Sequence, residues 1–171
     1  MENLTFILLS PQDEPFIKDM LYEAIYVAEG QPPFEKSLIE KPPLYKYFRH
    51  WGKVGDLGYA LEVDKQWIGA AWSRLYTLAD PGYGFINEAT PELNIALKAA
   101  YRSKGWGSKL MHHLLAKLRE KKFDQVSLSV DLQNPARPWY QRLGFEMIRE
   151  DGNSWTMLLK LSNGSFAINL S

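Results

Sequence analysis

Residues 92 to 132 form a strand–turn–helix–strand pattern that leaves few possible folds. Glu92–Lys98 and Val126–Leu132 each alternate apolar and polar residues, as half-buried strands do. Between them, the apolar residues of Gly105–Lys121 recur at helical spacing and form one face. A helix that joins two consecutive strands in this way places them parallel, through a right-handed crossover. The segment therefore predicts one parallel strand pair.

The other periodic segments predict an antiparallel sheet around this unit. Asp64-Lys65 and Asp151-Gly152-Asn153 read as the tight turns of two hairpins. The chain is thus expected to be one α/β domain over residues 1–171, with a mixed, mostly antiparallel central sheet of about seven strands and a loose tail from 162 to 171. Further strands are predicted at Thr5–Leu9, Gly58–Val63, Gln66–Leu75, Phe145–Glu150 and Trp155–Leu161, and further helices at Gln12–Ala28, Leu44–Trp51 and Pro138–Leu143.

Composition excludes several classes of protein. The 20 basic residues balance 20 acidic residues, so no concentrated positive charge marks a nucleic-acid partner. The chain has no cysteine, which removes disulfides, thiolate metal sites and a protein thiol nucleophile. No apolar run approaches the roughly 18 residues of a membrane span, and the N-terminus lacks the basic flank of a signal peptide. A cytoplasmic protein without a membrane or metal partner is expected.

The turn before the long helix carries the chemistry. Arg102, Lys104, Gly105 and Gly107 lie where a strand gives way to a helix N-terminus. Free N–H groups and the helix dipole favour an anion there, and glycine lets the backbone approach phosphate oxygens. The pattern lacks the Gly-Lys-Ser/Thr of a P-loop. It also lacks the third glycine of a dinucleotide fingerprint, because Leu110 occupies that position. The loop predicts a phosphate or pyrophosphate ligand of another kind.

Two motifs make a family resemblance specific. Arg102-Ser103-Lys104-Gly105-Trp106-Gly107 resembles the Gln/Arg-x-x-Gly-x-Gly/Ala loop of the GCN5-related N-acetyltransferases (GNAT superfamily). Asn134-Pro135-Ala136, followed by Tyr140-Gln141-Arg142-Leu143-Gly144-Phe145, is similar to the second conserved segment of that family. The resemblance extends over about residues 58 to 160. It implies the acyl-CoA N-acyltransferase fold, with the fourth and fifth strands splayed apart and helices on both faces of the sheet.

The resemblance also implies roles for particular residues, with acetyl-CoA as cofactor. Backbone amides of the loop would hold the pyrophosphate, the fourth strand and Asn134 would meet the pantetheine arm, and Tyr140 would protonate the departing thiolate. A tyrosine suits that task because its free pKa is about 10. The implied cofactor-binding residues are Leu97, Lys98, Ala99, Arg102, Ser103, Lys104, Gly105, Trp106, Gly107, Ser108, Asn134 and Tyr140.

The sequence gives weaker signals for the residues that would bind and deprotonate the amine acceptor. Glu92, or Glu88 just before it, stands where relatives often place a carboxylate that serves as general base. His50, His112 and His113 are interpreted as surface or packing residues. No carboxylate cluster indicates a polyamine or aminoglycoside acceptor. In the family, the first helices and the loop before strand four border the acceptor pocket, which implies lining by Tyr26, Phe34, Trp72, Tyr83 and Phe85.

The sequence therefore predicts an enzyme that transfers an acetyl group from acetyl-CoA directly to a primary amine of a small molecule, peptide or protein. Three alternatives stay open: a transferase that uses a longer acyl-CoA, a non-catalytic acyl-CoA-binding or sensing module, and a nucleotide-binding domain. The missing third glycine disfavours the last of these. Dimers are common in the family, so a homodimer is one expected state.

Overall fold

The structure, a computed structural model, describes residues 2–162, and the predicted tail beyond Ser162 lies outside them. Its centre is a seven-stranded sheet in the order β1-β2-β3-β4-β5-β7-β6. All neighbours are antiparallel except β4 and β5, which confirms the predicted mixed sheet with one parallel pair. The strands are β1 Leu4–Leu8, β2 Leu57–Val63, β3 Gln66–Arg74, β4 Glu92–Leu97, β5 Gln125–Asp131, β6 Glu146–Asp151 and β7 Ser154–Lys160.

Three α-helices flank the sheet: α1 Glu14–Ala24, α2 Trp106–Glu120 and α3 Arg137–Arg142. Short 3-10 turns lie at Pro11–Asp13, Lys36–Glu40, Tyr45–Tyr47 and Ala99–Tyr101. Pro138 stands in the first turn of α3, where its missing N–H is not needed, so α3 begins one residue before the predicted start. Of the helices in residues 2–162, none combines the length and the apolar character needed to cross a bilayer.

The two faces of the sheet bury different cores. On one face, α2 packs its apolar stripe against β2, β3 and β4, and the residues buried there form a large apolar cluster. On the other face, α1 and the segment from 36 to 51 cover Ala60, Ala70, Trp72 and Ala96. The small alanine side chains let these elements approach the sheet closely. This α1 face also holds buried polar groups, including Arg74 and Glu92.

The predicted helix over 44–51 is wrong, because the structure has only the 3-10 turn Tyr45–Tyr47 there. The reason is competition for main-chain carbonyls. The Arg74 guanidinium donates to the carbonyl oxygens of Lys46, Arg49 and His50 at 2.7 to 3.1 Å. The indole N–H of Trp72 donates to Tyr47 O at 3.0 Å. These carbonyls are oriented towards side chains of β3 and cannot serve a helical ladder.

Helix α1 is also shorter than predicted, since it ends at Ala24 and Ile25 is already extended with ψ 122°. The Glu23 carbonyl accepts a hydrogen bond from Arg102 at 3.3 Å. A distant side chain thus occupies an acceptor that a longer helix would have used. The segment after α1 turns away and becomes one wall of a cleft.

Candidate active site

A cleft opens where β4 and β5 diverge. The two strands are paired only at Glu92 and Ser127, and the Ser127 N–H donates to Pro91 O at 2.9 Å. Beyond that point β4 stays paired with β3, and β5 with β7, so the gap between them widens. The cleft has a volume of about 900 Å³. Its walls are the C-terminal half of β4, the loop before α2, the start of α3 and the segment that follows α1.

The loop before α2 forms an anion-binding cradle at one end of the cleft. Gly105 is the N-cap of α2 with φ 85°, and Ser103 has φ 63°, so both adopt the left-handed region. These turns leave the first-turn N–H groups of α2 without helical acceptors, beside the cleft. A β-carbon at Gly107 would meet only Leu97 Cδ1, at 3.7 Å. The cradle therefore offers free N–H donors and the positive end of a helix dipole.

Arg102 contributes structure as well as positive charge to the cleft. Its Nε donates to Leu97 O at 2.9 Å, and one terminal nitrogen donates to Glu23 Oε1 at 3.2 Å. The side chain thus connects the end of β4 to the end of α1, while 48% of it remains exposed beside the cradle. Arg102 both shapes the cleft and adds positive charge to its anion-binding end.

The second sequence motif forms the opposite wall. Asn134 Oδ1 accepts the Ala136 N–H at 2.9 Å and orders the turn into α3. Tyr140 packs on Trp139 and Phe145, with ring centroids 5.1 and 5.9 Å away, and burial raises its pKa to about 12. The Trp139 indole N–H donates to Ser108 Oγ at 3.2 Å. The tertiary fold therefore joins the two motifs directly.

Glu92 occupies the closed end of the β4–β5 fork and is only 2% exposed. The Tyr47 hydroxyl donates to Glu92 Oε2 at 2.8 Å and accepts the Tyr83 N–H at 2.7 Å. Gly82 lies against Oε1, since a β-carbon there would stand 2.1 Å from that oxygen. Burial raises the pKa of Glu92 to about 7, although the Tyr47 hydrogen bond opposes the shift. The carboxyl group can thus exchange a proton near neutral pH.

Sequence reasoning missed Tyr47 and Arg74. Arg74 is 3% exposed, forms a two-point ion pair with Asp56 at 2.7 and 3.0 Å, and fixes the carbonyls around Tyr47. An arginine at the end of an apolar strand was the available signal, because a buried charge needs partners. Tyr47 carried no such signal, since its contact with Glu92 spans 45 residues.

The five predicted acceptor residues do not all lie together. Tyr26 and Phe34 line the cleft, and the Tyr22 hydroxyl donates to Phe34 O and so connects α1 to this wall. The others lie in the α1-face core or next to it. Trp72 is fully buried, Phe85 packs against the same core, and Tyr83 is 53% exposed with its ring parallel to that of Tyr47.

Most of the predicted cofactor residues line the cleft, namely Leu97, Arg102, Ser103, Gly105, Gly107, Ser108, Asn134 and Tyr140. The others do not. Lys98 and Ala99 line a neighbouring pocket beside α1, Lys104 is exposed, and Trp106 is buried in the α2-face core.

His112 is exposed, and His113 stacks on Phe6 with centroids 4.1 Å apart. Within residues 2–162, no group of three or more His, Asp or Glu side chains is arranged to hold a metal ion.

The sequence profile of the acetyltransferase (GNAT) family matches residues 20–145, which include the cradle, Asn134 and Tyr140. The chain belongs to the GNAT acetyltransferase family. The predicted resemblance is thereby confirmed. No curated protein sequence matches the chain.

Several solved GNAT structures share the fold. The PaiA N-acetyltransferase of Thermoplasma acidophilum, in complex with coenzyme A, has 21% identity over 92% of this chain and 99% of its own, with a TM-score of 0.67. YncA of Salmonella typhimurium, a putative acetyltransferase with acetyl-CoA, has 18% identity over 93% and 94%, with a TM-score of 0.65. Dodecameric spermidine N-acetyltransferase of Vibrio cholerae has 19% identity over 96% and 98%, with a TM-score of 0.64. At these identities the likeness concerns the fold.

Proposed function

We propose that this GNAT acetyltransferase binds acetyl-CoA in the β4–β5 cleft and transfers the acetyl group directly to a primary amine. The observation that carries the proposal is the divergence of β4 and β5 next to a helix N-terminus with free N–H groups. The cradle suits a pyrophosphate, and the cleft, at about 900 Å³, has the volume to receive an extended arm beside β4. PaiA with coenzyme A and YncA with acetyl-CoA support this choice of cofactor.

The residues of the chain fit that cofactor. The first-turn N–H groups of α2 and the Arg102 side chain would hold the pyrophosphate, and the free edge of β4 near Leu97 would pair with the arm. When bound, acetyl-CoA supplies an activated acetyl thioester. Because the chain has no cysteine, no protein thiol can carry the acetyl group, which favours direct transfer.

Two side chains would move protons. Glu92, with its pKa raised to about 7, would accept the proton that the amine must lose before it can attack. Tyr140 keeps its hydroxyl proton at neutral pH, since its pKa is about 12, and faces the cleft as a donor. Glu92 lies at the closed end of the fork and Tyr140 on the α3 wall of the cleft, so that one group would accept a proton and the other would supply one.

The charged residues of the cleft bear on which amine it could accept. Among the residues that line the cleft, Glu23 is the one carboxylate, and it is paired with Arg102 at 3.2 Å. Polyamines carry several positive charges and need carboxylates for recognition. An amine with a single positive charge is therefore the better fit to the cleft, beside the aromatic wall of Tyr26 and Phe34.

One observation favours a second candidate, a non-catalytic acyl-CoA-binding module. Glu92 does not line the cleft, and its side chain is buried with Gly82 close to Oε1. A protein of this kind would bind the cofactor without turnover. The two candidates share the cradle and differ only in whether Glu92 and Tyr140 take part in chemistry.

Thermal melting with acetyl-CoA, free CoA, NAD and ATP tests the cofactor. At about 100 times the dissociation constant, a ligand stabilises by roughly 2.7 kcal/mol. We expect both CoA species to raise the Tm and NAD and ATP to leave it unchanged. Thiol release with amines of different charge then separates the candidates: turnover that falls in Glu92→Gln and Tyr140→Phe supports the enzyme. Binding without turnover for any amine supports the module, and a shift with NAD alone contradicts both.

A further inference from the structure

The sheet consists of two half-sheets that the strands themselves join at a single point. β1 to β4 form one half-sheet, and β5, β7 and β6 form the other. Within residues 2–162, the one register position between β4 and β5 is Glu92 opposite Ser127. Every other pair of neighbouring strands is in register over five or more positions. The junction at the closed end of the fork therefore has much less main-chain pairing than the rest of the sheet.

A turn at residues 82–85, which we call the strap, lies across this junction. It belongs to the connection between β3 and β4. A β-carbon at Gly84 would stand 2.8 Å from the carbonyl carbon of Leu128, so the strap rests directly on the main chain of β5. A β-carbon at Gly82 would stand 2.1 Å from the carboxylate of Glu92, on β4. The strap thus touches both strands of the fork.

On the β4 side, the strap donates its N–H groups to buried acceptors. The Tyr83 N–H donates to the Tyr47 hydroxyl at 2.7 Å, and that hydroxyl donates to Glu92 Oε2 at 2.8 Å. The Gly84 N–H donates to the carboxylate of Glu92. Tyr47 and Glu92 are both buried. Two consecutive N–H groups of the strap are therefore bound to the β4 half of the molecule.

On the β5 side, the carbonyl oxygens of the strap accept hydrogen bonds from side chains. Each strand of this half-sheet supplies one donor, namely Ser127 Oγ to Gly84 O at 2.7 Å, Arg149 to Phe85 O at 3.2 Å and Thr156 Oγ1 to Tyr83 O at 3.5 Å. Ser127 and Thr156 are fully buried. Buried hydroxyl groups are nearly always paired, so these two side chains depend on the strap as much as it depends on them.

The strap supplies at the junction the kind of pairing that β4 and β5 lack. A strand inside a sheet forms hydrogen bonds through its N–H and C=O groups to neighbours on both sides. The strap does the same with side chains, because its N–H groups bond partners on the β4 side and its carbonyl oxygens bond donors on the β5 side. Separation of the half-sheets at this point would leave several buried polar groups without partners.

We propose that the strap is a clamp that holds the two half-sheets together at the closed end of the fork and so fixes how far β4 and β5 diverge. Tyr47, Ser127 and Arg149 are positioning residues of this clamp, since each bonds the strap and none lines the cleft. Its effect on acetyl-CoA rests on the proposed function. An arm that pairs with the free edge of β4 needs a gap of constant width, and a preorganised gap lowers the cost of binding.

A distance measurement across the open end of the fork tests the clamp without a cofactor. Because the chain has no cysteine, Lys65→Cys and Asn153→Cys introduce two unique sites for spin labels. Both residues are exposed in turns. Lys65 precedes β3 near the end of β4, and Asn153 precedes β7 near the end of β5, so each half-sheet carries one label. Double electron–electron resonance then measures the distribution of distances between the labels.

Three substitutions in the labelled protein give graded effects. Gly84→Ala is the strongest, because the added methyl group collides with the main chain of β5 and displaces the strap. Ser127→Ala removes one donor and leaves Gly84 O unpaired. Ser129→Ala is the matched control, since Ser129 lies on the same face of β5 and none of the described hydrogen bonds joins its side chain to the strap. We expect the distance distribution to broaden in Gly84→Ala, to broaden less in Ser127→Ala, and to stay as in wild type in Ser129→Ala.

Amide hydrogen exchange gives a readout that a general loss of stability would not imitate. In Ser127→Ala, the Tyr83 and Gly84 amides should exchange about tenfold faster, because an unpaired buried carbonyl favours local opening of the strap. The amides of β1, β2 and β3 should keep their wild-type rates. Equal acceleration throughout the sheet would overturn the proposal, since it would mean that Ser127 contributes only to global stability.

The distance distributions can also overturn the clamp directly. They do so if folded Gly84→Ala and Ser127→Ala both match wild type, or if Ser129→Ala broadens the distribution as much as Ser127→Ala does. Should Gly84→Ala not fold, Ser127→Ala and its control decide.

Calorimetric titration with acetyl-CoA separates failure of the clamp from failure of the proposed function. We expect the affinity to fall about tenfold in Gly84→Ala and to remain at the wild-type value in Ser129→Ala. If wild type does not bind acetyl-CoA, the proposed function is wrong, and the distance distributions still decide whether the strap is a clamp. If wild type binds acetyl-CoA and Gly84→Ala broadens the distribution with unchanged affinity, the link between the clamp and cofactor binding is overturned.

Discussion

The two ends of the β4–β5 fork are built in opposite ways. The cradle end, residues 102–108, comes from one continuous segment, is open to solvent and offers main-chain N–H groups. The carboxylate end collects Glu92, Tyr47 and Arg74 from separate segments and buries them, with Gly82 packed against the carboxylate. One end is organised by local conformation and the other by long-range packing. The comparison shows why one could be identified from a motif and the other could not.

The electrostatics of the two ends differ as well. At the cradle, unpaired N–H groups and the dipole of α2 favour an anion in an exposed position. At the carboxylate end, burial opposes the charge of Glu92 and raises its pKa to about 7. The cradle is thus suited to hold a permanent negative charge, whereas the carboxylate end is suited to gain and lose a proton.

The largest expected effect is at the cradle. Gly107→Asp places a carboxylate where the pyrophosphate would bind, and we expect acetyl-CoA affinity to fall about 1,000-fold, or ~4 kcal/mol. The fold should tolerate the change, because a β-carbon there meets only Leu97 at 3.7 Å and an acidic residue suits a helix N-terminus. Calorimetric titration measures the affinity. Gly107→Ala is the matched control and should bind within about tenfold of wild type; equal affinity for both variants would contradict the anion site.

The next effect concerns stability at the carboxylate end. Because the folded-state pKa of Glu92 is raised from 4.5 to about 7, its contribution to stability is present below pH 4.5 and is lost as the pH rises through 7. Glu92→Gln removes this dependence. The free energy of unfolding of Glu92→Gln minus that of wild type should therefore increase by about 3 kcal/mol between pH 4 and pH 8. Urea denaturation measures it, and a difference that is flat with pH would show that Glu92 is not buried as described.

A smaller effect is expected at Tyr140, which lies on the α3 wall of the cleft. Tyr140→Phe keeps the packing against Trp139 and Phe145 and removes only the hydroxyl. A thiol with a pKa of about 8.5 departs readily as a thiolate, so loss of the proton donor should lower kcat only about tenfold, or ~1.4 kcal/mol. Steady-state thiol release measures it, with acetyl-CoA affinity as the control. An unchanged kcat would remove Tyr140 from the chemistry.

The smallest effect is expected for the connection between cradle and α1. Arg102→Ala removes an exposed ion pair with Glu23 and a hydrogen bond to Leu97 O. Exposed pairs contribute little, so we expect acetyl-CoA affinity to fall roughly threefold to tenfold, and less at high salt. Glu23→Gln frees Arg102 while keeping its charge, and should not weaken binding. If Glu23→Gln lowers the acetyl-CoA affinity as much as Arg102→Ala does, the ion pair acts by holding the shape of the cleft, and the charge of Arg102 does not contribute to binding.

The prediction from sequence succeeded where neighbouring residues act together. The strand–turn–helix–strand unit, the parallel pair and the seven-stranded sheet follow from hydrophobic periods and turns. The cradle follows from glycines at a helix N-terminus. The prediction of a helix over 44–51 failed because residues distant in the chain act there. Arg74 and Trp72, both on β3, donate hydrogen bonds to main-chain carbonyl oxygens of this segment.

The order of the elements, the mixed sheet and the anion-binding loop could be predicted from the sequence, since each depends on residues close in the chain. Only the tertiary structure decided that Tyr47 reaches Glu92, that Ser108 meets Trp139, and that Trp72 lies in the core and not in the cleft. These contacts join residues separated by 25 to 45 positions. Such pairings arise from the packing of whole elements, and no local pattern records them.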